Sequence, residues 1–184
     1  TTAKILHKVL VDQKYDARLI GNIGNPALSE KKITKKTIFV IEASSYQLDY
    51  SKVFTSKYAI ILNISPDHLE RHKNLKNYVN AKFKLLASQP SKSIAFVKKN
   101  DSLINEIINK KNFKQKIIKI DSLKNDKILK QLKNKYFLSF GNKENLSFIL
   151  KISKTLKLNN KDLLKTLNKF KGLKYRQQII YENK

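Results

Sequence analysis

The strongest constraint on the fold is a set of short runs that have no polar face. Thr37-Ile38-Phe39-Val40-Ile41 is β-branched or apolar at every position. A strand with one face in water alternates apolar and polar residues, whereas a run without alternation suits a strand buried on both faces, as in a parallel sheet. Tyr58 to Ile64 repeats this character, Ser93 to Val97 supplies a third apolar strand, and Lys116 to Ile120 reads as another strand. Arg18-Leu19-Ile20 is a short extended piece, and Lys135 to Phe140 reads as a weaker strand. Between these runs the apolar residues recur at helical spacing. Thr1 to Lys14 carries Ile5, Leu6, Val9 and Leu10 on one face, and Asp101 to Lys110 carries Leu103, Ile104, Ile107 and Ile108 with Asp101 as its cap. Tyr78 to Ser88, Asn142 to Leu156 and Asn160 to Phe170 also read as helices. Strands alternating with helices predict an α/β fold, a mostly parallel sheet with helices on both faces. Asn109 to Asn134 is rich in Lys and Asn and reads as solvated surface. Gln177 to Tyr181 reads as a strand opening a following domain.

Composition narrows the function classes. The 184 residues include no cysteine, which excludes disulfides and thiolate metal sites and fits a reducing compartment. No apolar run is long enough to span a bilayer. There is no methionine even at position 1, so the chain is expected to be part of a longer protein. A net charge of +25 raises the possibility of a polyanion partner. Against that, the lysines are scattered along the chain and the arginines that usually fork onto phosphates and bases are scarce. Codon bias towards Lys, Asn and Ile accounts for the same mixture.

In an open parallel sheet, ligands bind beyond the carboxyl ends of the strands. Glu42-Ala43-Ser44-Ser45-Tyr46-Gln47-Leu48 follows one strand, and Asn63-Ile64-Ser65-Pro66-Asp67-His68-Leu69-Glu70-Arg71-His72 follows another. Both segments carry acids, hydroxyls or imidazoles where a ligand would sit, and a carboxylate and an imidazole together suit a divalent cation such as Mg²⁺ joined to nucleotide phosphates. Each residue also has a local explanation. Glu42 suits a pair with a lysine, Ser44 and Ser45 suit helix caps, Asp67 suits a turn and His68 suits a structural role.

These segments occur in order with two others, Gly21-Asn22-Ile23-Gly24-Asn25-Pro26-Ala27 and Tyr78-Val79-Asn80-Ala81-Lys82. Together they resemble the Mur family of ATP-dependent cell-wall amide ligases, in its D-glutamate-adding branch. The resemblance implies a P-loop-NTPase-like central domain over residues 1–171 and the start of a C-terminal, D-glutamate-binding domain at residues 172–184. It implies that ATP phosphorylates the carboxylate of UDP-MurNAc-L-alanine and that the amine of D-glutamate attacks the acyl phosphate. It further implies a cytoplasmic, monomeric parent enzyme with ATP and Mg²⁺ as cofactors, and neither a membrane nor a nucleic acid as partner. By the same resemblance Glu42, His68 and Lys82 are the catalytic and metal-holding residues, with Lys82 acting as its carbamate. His68 and Lys82 are 82 − 68 = 14 residues apart, enough to leave a strand end and return on a helix. Asn22, Ser44 and Gln47 correspond to contacts with the UDP-sugar. Asn142 and Asn145 correspond to contacts with adenine, and Arg176 to a phosphate contact.

Three departures stand beside the resemblance. Gly141 takes a place that is often histidine in the family. Lys174 and Tyr175 replace the proline and histidine before Arg176. The phosphate-cradling G-x-x-G-K-[ST] loop does not occur, and Thr1-Thr2-Ala3-Lys4 resembles the residues just after such a loop. The chain on its own is therefore expected to have little or no ligase activity. Open alternatives are a folylpolyglutamate-synthase-like ligase, a non-catalytic basic α/β domain that binds nucleic acid or another polyanion, and a degenerate fragment.

Overall fold

The computed structural model describes residues 1–121 and 127–176. In chain order the elements are α1 (Thr2–Asp12), β1 (Ala17–Gly21), β2 (Ile38–Glu42), α2 (Ser45–Tyr50), β3 (Tyr58–Ile61), α3 (Leu69–His72), α4 (Leu75–Ala87), β4 (Ile94–Lys98), α5 (Ser102–Lys110), β5 (Lys116–Ile120), α6 (Lys127–Gln131), α7 (Phe140–Thr155) and α8 (Asn160–Lys169). Short 3-10 helices lie at Ala27–Ser29 and Lys135–Leu138. The chain forms two compact units, one of Thr1–Glu42 with the chain from residue 122 onward, the other of Ala43–Asp121. Among the described residues no helix is long and apolar enough to cross a membrane.

In the first unit β1 and β2 pair in parallel, Ala17 opposite Ile38 and Gly21 opposite Glu42. The register is pinned where the strands begin. The Ile38 amide donates to the Asp16 carbonyl, and the Thr37 hydroxyl donates to the Asp16 carboxylate at 2.6 Å. The predicted apolar face of α1 is the buried one: Ile5, Leu6, Val9 and Leu10 are all at most 7% exposed. It packs against β1, β2, α7 and α8. A reciprocal pair holds α1 to the start of α8. The Gln13 amide donates to the Asn159 carbonyl and its oxygen accepts from the Asn159 backbone. The Asn159 side chain also caps α8 through the Lys161 and Asp162 amides.

Lys135–Phe140, expected as a strand, is instead a 3-10 helix running into the start of α7. Its apolar residues do not alternate. Tyr136 and Phe137 are consecutive and both buried, each packed against Phe170. The turn is held by Asn134, whose oxygen accepts from the Tyr136 amide and whose nitrogen donates to the Leu167 and Phe170 carbonyls. The predicted strand at Gln177 to Tyr181 lies outside the described residues, as does part of the Asn109 to Asn134 stretch.

In the second unit β4 lies between β3 and β5, all parallel. Ala95, Phe96 and Val97 are successive and completely buried, so both faces of β4 are covered, as the unalternating sequence requires. Tyr78, Val79, Phe83 and Leu86 of α4 and Ile104 of α5 form the core with Ala59 and Ile61 of β3. β3 stops at Ile61 rather than reaching Ile64. The Ile64 amide is taken by the Asp101 carboxylate, whose other oxygen caps α5 at the Ile104 amide. Lys84 of α4 donates to the Asp49 carboxylate and thereby ties α2 to α4.

Two glycines are required by geometry. Gly21 and Gly24 have φ of 104° and 82°, and a Cβ on Gly24 would run into the Leu19 carbonyl. Gly24→Ala should lower the unfolding free energy by about 1–3 kcal/mol through strain and this collision, read from the urea midpoint.

Three carboxylates lie below the ordinary Asp value of 3.8. In Asp12 burial pushes upward, but hydrogen bonds from Thr166 and Lys8 outweigh it. Asp16 is lowered chiefly by the Thr37 hydroxyl and Asp49 chiefly by Lys84. Depressed folded-state values mean that this part of the stability is complete above 3.8 and is lost as pH falls through the lower folded values. Urea midpoints should therefore drop as pH is taken below about 4 and level off above it.

Candidate functional site

In the first unit the parallel register brings the ends of β1 and β2 side by side. The Asn22 amide donates to the Glu42 carbonyl at 2.7 Å, so the exposed Asn22 side chain and the Glu42 carboxylate leave neighbouring strand ends. Glu42 is 34% exposed, and the Thr1 amino nitrogen lies 3.9 Å from its carboxylate. The first turn of α1 thus stands beside Glu42. The Thr2 hydroxyl donates to the Asn145 side-chain oxygen at 3.0 Å, which brings α7 to the same turn and leaves the Asn145 amide hydrogens available. Glu42 and Asn145 therefore meet at one helix N-terminus, where unpaired amides and the helix dipole favour an anion. Asn142 is buried and donates to the Tyr136 carbonyl at 2.9 Å. Burial pushes the Tyr136 phenol up, partly offset by Asn142 and by the charge of Arg176.

A cavity of about 260 Å³ lies in the same unit, bordered by Arg18, Asn25 and Glu30, but neither Asn22 nor Glu42 lines it. Its polar residues fasten the loop after β1. The Glu30 carboxylate, 5% exposed, accepts from the Asn25 amide at 3.0 Å and lies 3.7 Å from Arg18. This cavity is a loop anchor, and the chemistry gathers elsewhere.

In the second unit Ser44 and Gln47 form a reciprocal capping box at the start of α2. The Ser44 hydroxyl accepts from the Gln47 amide and the Gln47 oxygen accepts from the Ser44 amide. The local explanation for Ser44 is therefore correct as far as it goes. The Ser44 hydroxyl hydrogen and the Gln47 amide hydrogens are not consumed by the box, and both suit an anionic or sugar oxygen.

His68 is 45% exposed and has a left-handed backbone, φ 52°. Its amide is held by the Asp67 carboxylate at 2.9 Å, and its carbonyl starts α3. Its ring lies 3.5 Å from Asp67 and 3.8 Å from Glu70. Lys82, on α4, is half-buried. Its ammonium lies 4.9 Å from the centroid of the Tyr78 ring, one helical turn back, in a cation–π contact.

Sequence reasoning missed the groups between these two. His72 is 4% exposed, and its Nε2 is 3.0 Å from the hydroxyl of the equally buried Ser45. The Tyr46 ring stacks on His72 at 5.6 Å and also meets His68 at 5.0 Å. His72 in turn meets the edge of Tyr78 at 5.5 Å. Two signals were present in the sequence: the Ser-x-x-Gln capping pattern at Ser44–Gln47, and the four-residue spacing of Tyr78 and Lys82.

Residues 1–163 match the family model for the Mur ligase middle domain. The chain belongs to the Mur ligase middle-domain family. It is 30% identical over 98% of its length to the UDP-N-acetylmuramoylalanine–D-glutamate ligase of Rickettsia bellii, and 33% identical over 99% to that of Pseudothermotoga lettingae. It spans 44% and 43% of those relatives, less than half their length. Solved Mur ligases share the fold. A MurF ligase from Thermotoga maritima, crystallised with ADP, superposes with a TM-score of 0.69 at 14% identity over 94% of this chain and 46% of its own. A UDP-N-acetylmuramate:L-alanyl-γ-D-glutamyl-meso-diaminopimelate ligase from Neisseria meningitides gives 0.70 at 13% identity over 94% of this chain and 63% of its own. The Mur ligase fold of this chain is thus α/β with parallel sheets flanked by helices.

The buried Ser45–His72 contact is testable by itself. Ser45→Ala leaves a buried imidazole nitrogen without its partner and should cost about 1–3 kcal/mol, read from the urea midpoint against the parent protein.

Proposed function

We propose that the full-length gene product joins D-glutamate to UDP-MurNAc-L-alanine at the expense of ATP. The observation that carries this reading is the near-complete coverage of the chain by relatives named for that reaction, at about one residue in three identical. On this reading residues 1–171 handle the nucleotide and residues 172–184 open a C-terminal domain that takes D-glutamate. The parent enzyme is cytoplasmic and monomeric.

The chemistry asks for control of phosphate charge more than for covalent help. The first turn of α1 with Asn145 and Arg176 suits the nucleotide, because helix amides, neutral donors and a guanidinium all stabilise phosphate oxygens. Asn22, Ser44 and Gln47 retain donors for the UDP-sugar. Asn142, with an amide hydrogen bonded to the Tyr136 carbonyl, contributes by shaping the adenine side.

The residues proposed for Mg²⁺ fit it under one condition. Glu42 is partly exposed, and an imidazole and a carboxylate are acceptable donors. Among the described residues, however, no group of three His, Asp or Glu gathers as a metal site. The Lys82 ammonium cannot be a ligand, so His68 gains a second donor from Lys82 only when the lysine is carbamylated, which replaces a cation with a two-oxygen anion. Lys82 is half-buried with its ammonium over the face of Tyr78, a contact that favours the cation and that the carbamate would have to leave. Bound Mg²⁺ would neutralise charge on the transferring phosphoryl group. Glu42 would hold one ion, and His68 with the Lys82 carbamate a second.

ADP release by the full-length gene product should require UDP-MurNAc-L-alanine, D-glutamate and Mg²⁺ together, with each omitted in turn. Activity without D-glutamate, or none with all present, would sink the assignment. Lys82→Arg keeps the charge but cannot form the carbamate. It should lower kcat/KM by at least about 100-fold, and Lys82→Ala should do the same. A fully active Lys82→Arg enzyme would show that a plain cation suffices.

A further inference from the structure

We propose that Glu30 is a positioning residue: its shielded carboxylate closes the loop after β1 and so holds Asn22 in place for the UDP-sugar. The inference rests on reading Asn22 as a contact to that substrate, and adds the group that fixes the loop carrying it.

The loop leaves β1 at Gly21 and is tied down at successive points. The Asn22 amide donates to the Glu42 carbonyl at 2.7 Å, and the Asn25 amide returns to the Leu19 carbonyl at 3.0 Å. Between them, Gly24 lies against the Leu19 carbonyl with no room for a Cβ. Asn22 therefore sits in a short turn laid back on its own strand. The far end of that turn is held by the Asn25 side chain, whose amide donates to Glu30 at 3.0 Å. The second Glu30 oxygen lies 3.7 Å from the Arg18 guanidinium. Arg18 also donates to Asp16 at 2.8 Å, and Asp16 in turn accepts from Thr37 before β2. The closure thus runs from the start of the strands through Arg18, Glu30 and Asn25 to the turn that carries Asn22.

Apolar packing does not hold this loop. None of its apolar residues, from Ile23 to Ile33, is buried, and Leu28 at its tip is fully exposed. Polar closure is what remains, and Glu30 is unlike the other carboxylates that meet cations. The side chains of Glu42, Asp12, Asp16 and Asp49 are all at least 34% exposed, against 5% for Glu30. A carboxylate taken out of water is tolerated only where hydrogen bonds and a cation meet it. For Glu30 those partners are Asn25 and Arg18, and they surround it only while the loop is closed. An exposed ion pair would hold the loop loosely, because water replaces either partner at little cost.

Loss of such preorganisation weakens the ligand that uses the loop and spares the others. The test is calorimetric titration of the full-length gene product with UDP-MurNAc-L-alanine and, separately, with ATP and Mg²⁺, with thermal unfolding measured alongside. Glu30→Leu and Asn25→Ala should each raise the Kd for UDP-MurNAc-L-alanine by about 10-fold and leave that for ATP within about twofold. Both remove the same closure, so the double variant should bind little more weakly than either single one. Glu30→Gln keeps an acceptor for Asn25 and should recover most of the affinity. Two positions are used so that one misfolded variant does not decide the matter. Folded variants that bind UDP-MurNAc-L-alanine as tightly as the parent, or that lose both ligands alike, would overturn the proposal. Asn22→Ala separates the two layers. If Asn22→Ala binds UDP-MurNAc-L-alanine normally, the substrate-contact reading itself fails. If Asn22→Ala loses affinity while the Glu30 and Asn25 variants keep it, only the positioning role fails.

Discussion

Parallel pairing is the constraint on which the first unit depends. Two parallel strands in register must end on the same side, and here the register is set at their beginnings by Asp16, whose carbonyl and carboxylate hold Ile38 and Thr37. Four residues further on, that choice puts Gly21 opposite Glu42 and the Asn22 amide on the Glu42 carbonyl. A slip by one residue would turn Glu42 to the opposite face. The same pairing gives α1 its platform, and the first turn of α1 arrives beside Glu42.

The second unit uses a different device for the same end. Its strands supply a core, but its candidate site residues sit at the start of α2, in the loop before α3 and on α4, where backbone pairing gives no direction. Side chains take over: Asp101 holds Ile64, Asp67 holds the His68 amide, Asn77 holds the His72 carbonyl and Lys84 holds Asp49. Most of these bonds reach backbone groups that helices and strands leave unpaired. Exposed ion pairs contribute little to stability. Their value here lies in fixing where short segments enter and leave, while the apolar faces of α4 and β4 supply most of the energy.

Long, periodic elements were legible in the sequence. The α1 face, the β4 run and the Asp101 cap all follow from residue type and spacing alone. The short helices α2 and α3 were not, because six and four residues are too few for a helical period to register. Tyr136 and Phe137 misled for a related reason. Adjacent aromatics raise strand propensity, yet Asn134 and Phe170 hold the segment in a turn, a tertiary preference that no local window contains. For the candidate site, the motif residues were named by resemblance, and the buried contact beside them was not. The contact of His72 with Ser45 joins residues 27 positions apart, and only the fold brings them together.

The charge of the chain bears on how such a site discriminates. Lysine and arginine number 39 against 14 acids, so most cations have no carboxylate to pair with. A field of that kind draws in anions of every sort and is screened by salt over roughly 10 Å. It raises the encounter rate of any anionic ligand without choosing one. The choice must come from groups that act only at contact. Those found at the strand ends and helix starts are largely neutral: the Asn22 and Asn145 amides, the Ser44 hydroxyl, the Gln47 amide and the first turn of α1. On the proposed function, a surplus of diffuse lysine charge and a set of fixed neutral donors would meet separate needs, approach and recognition.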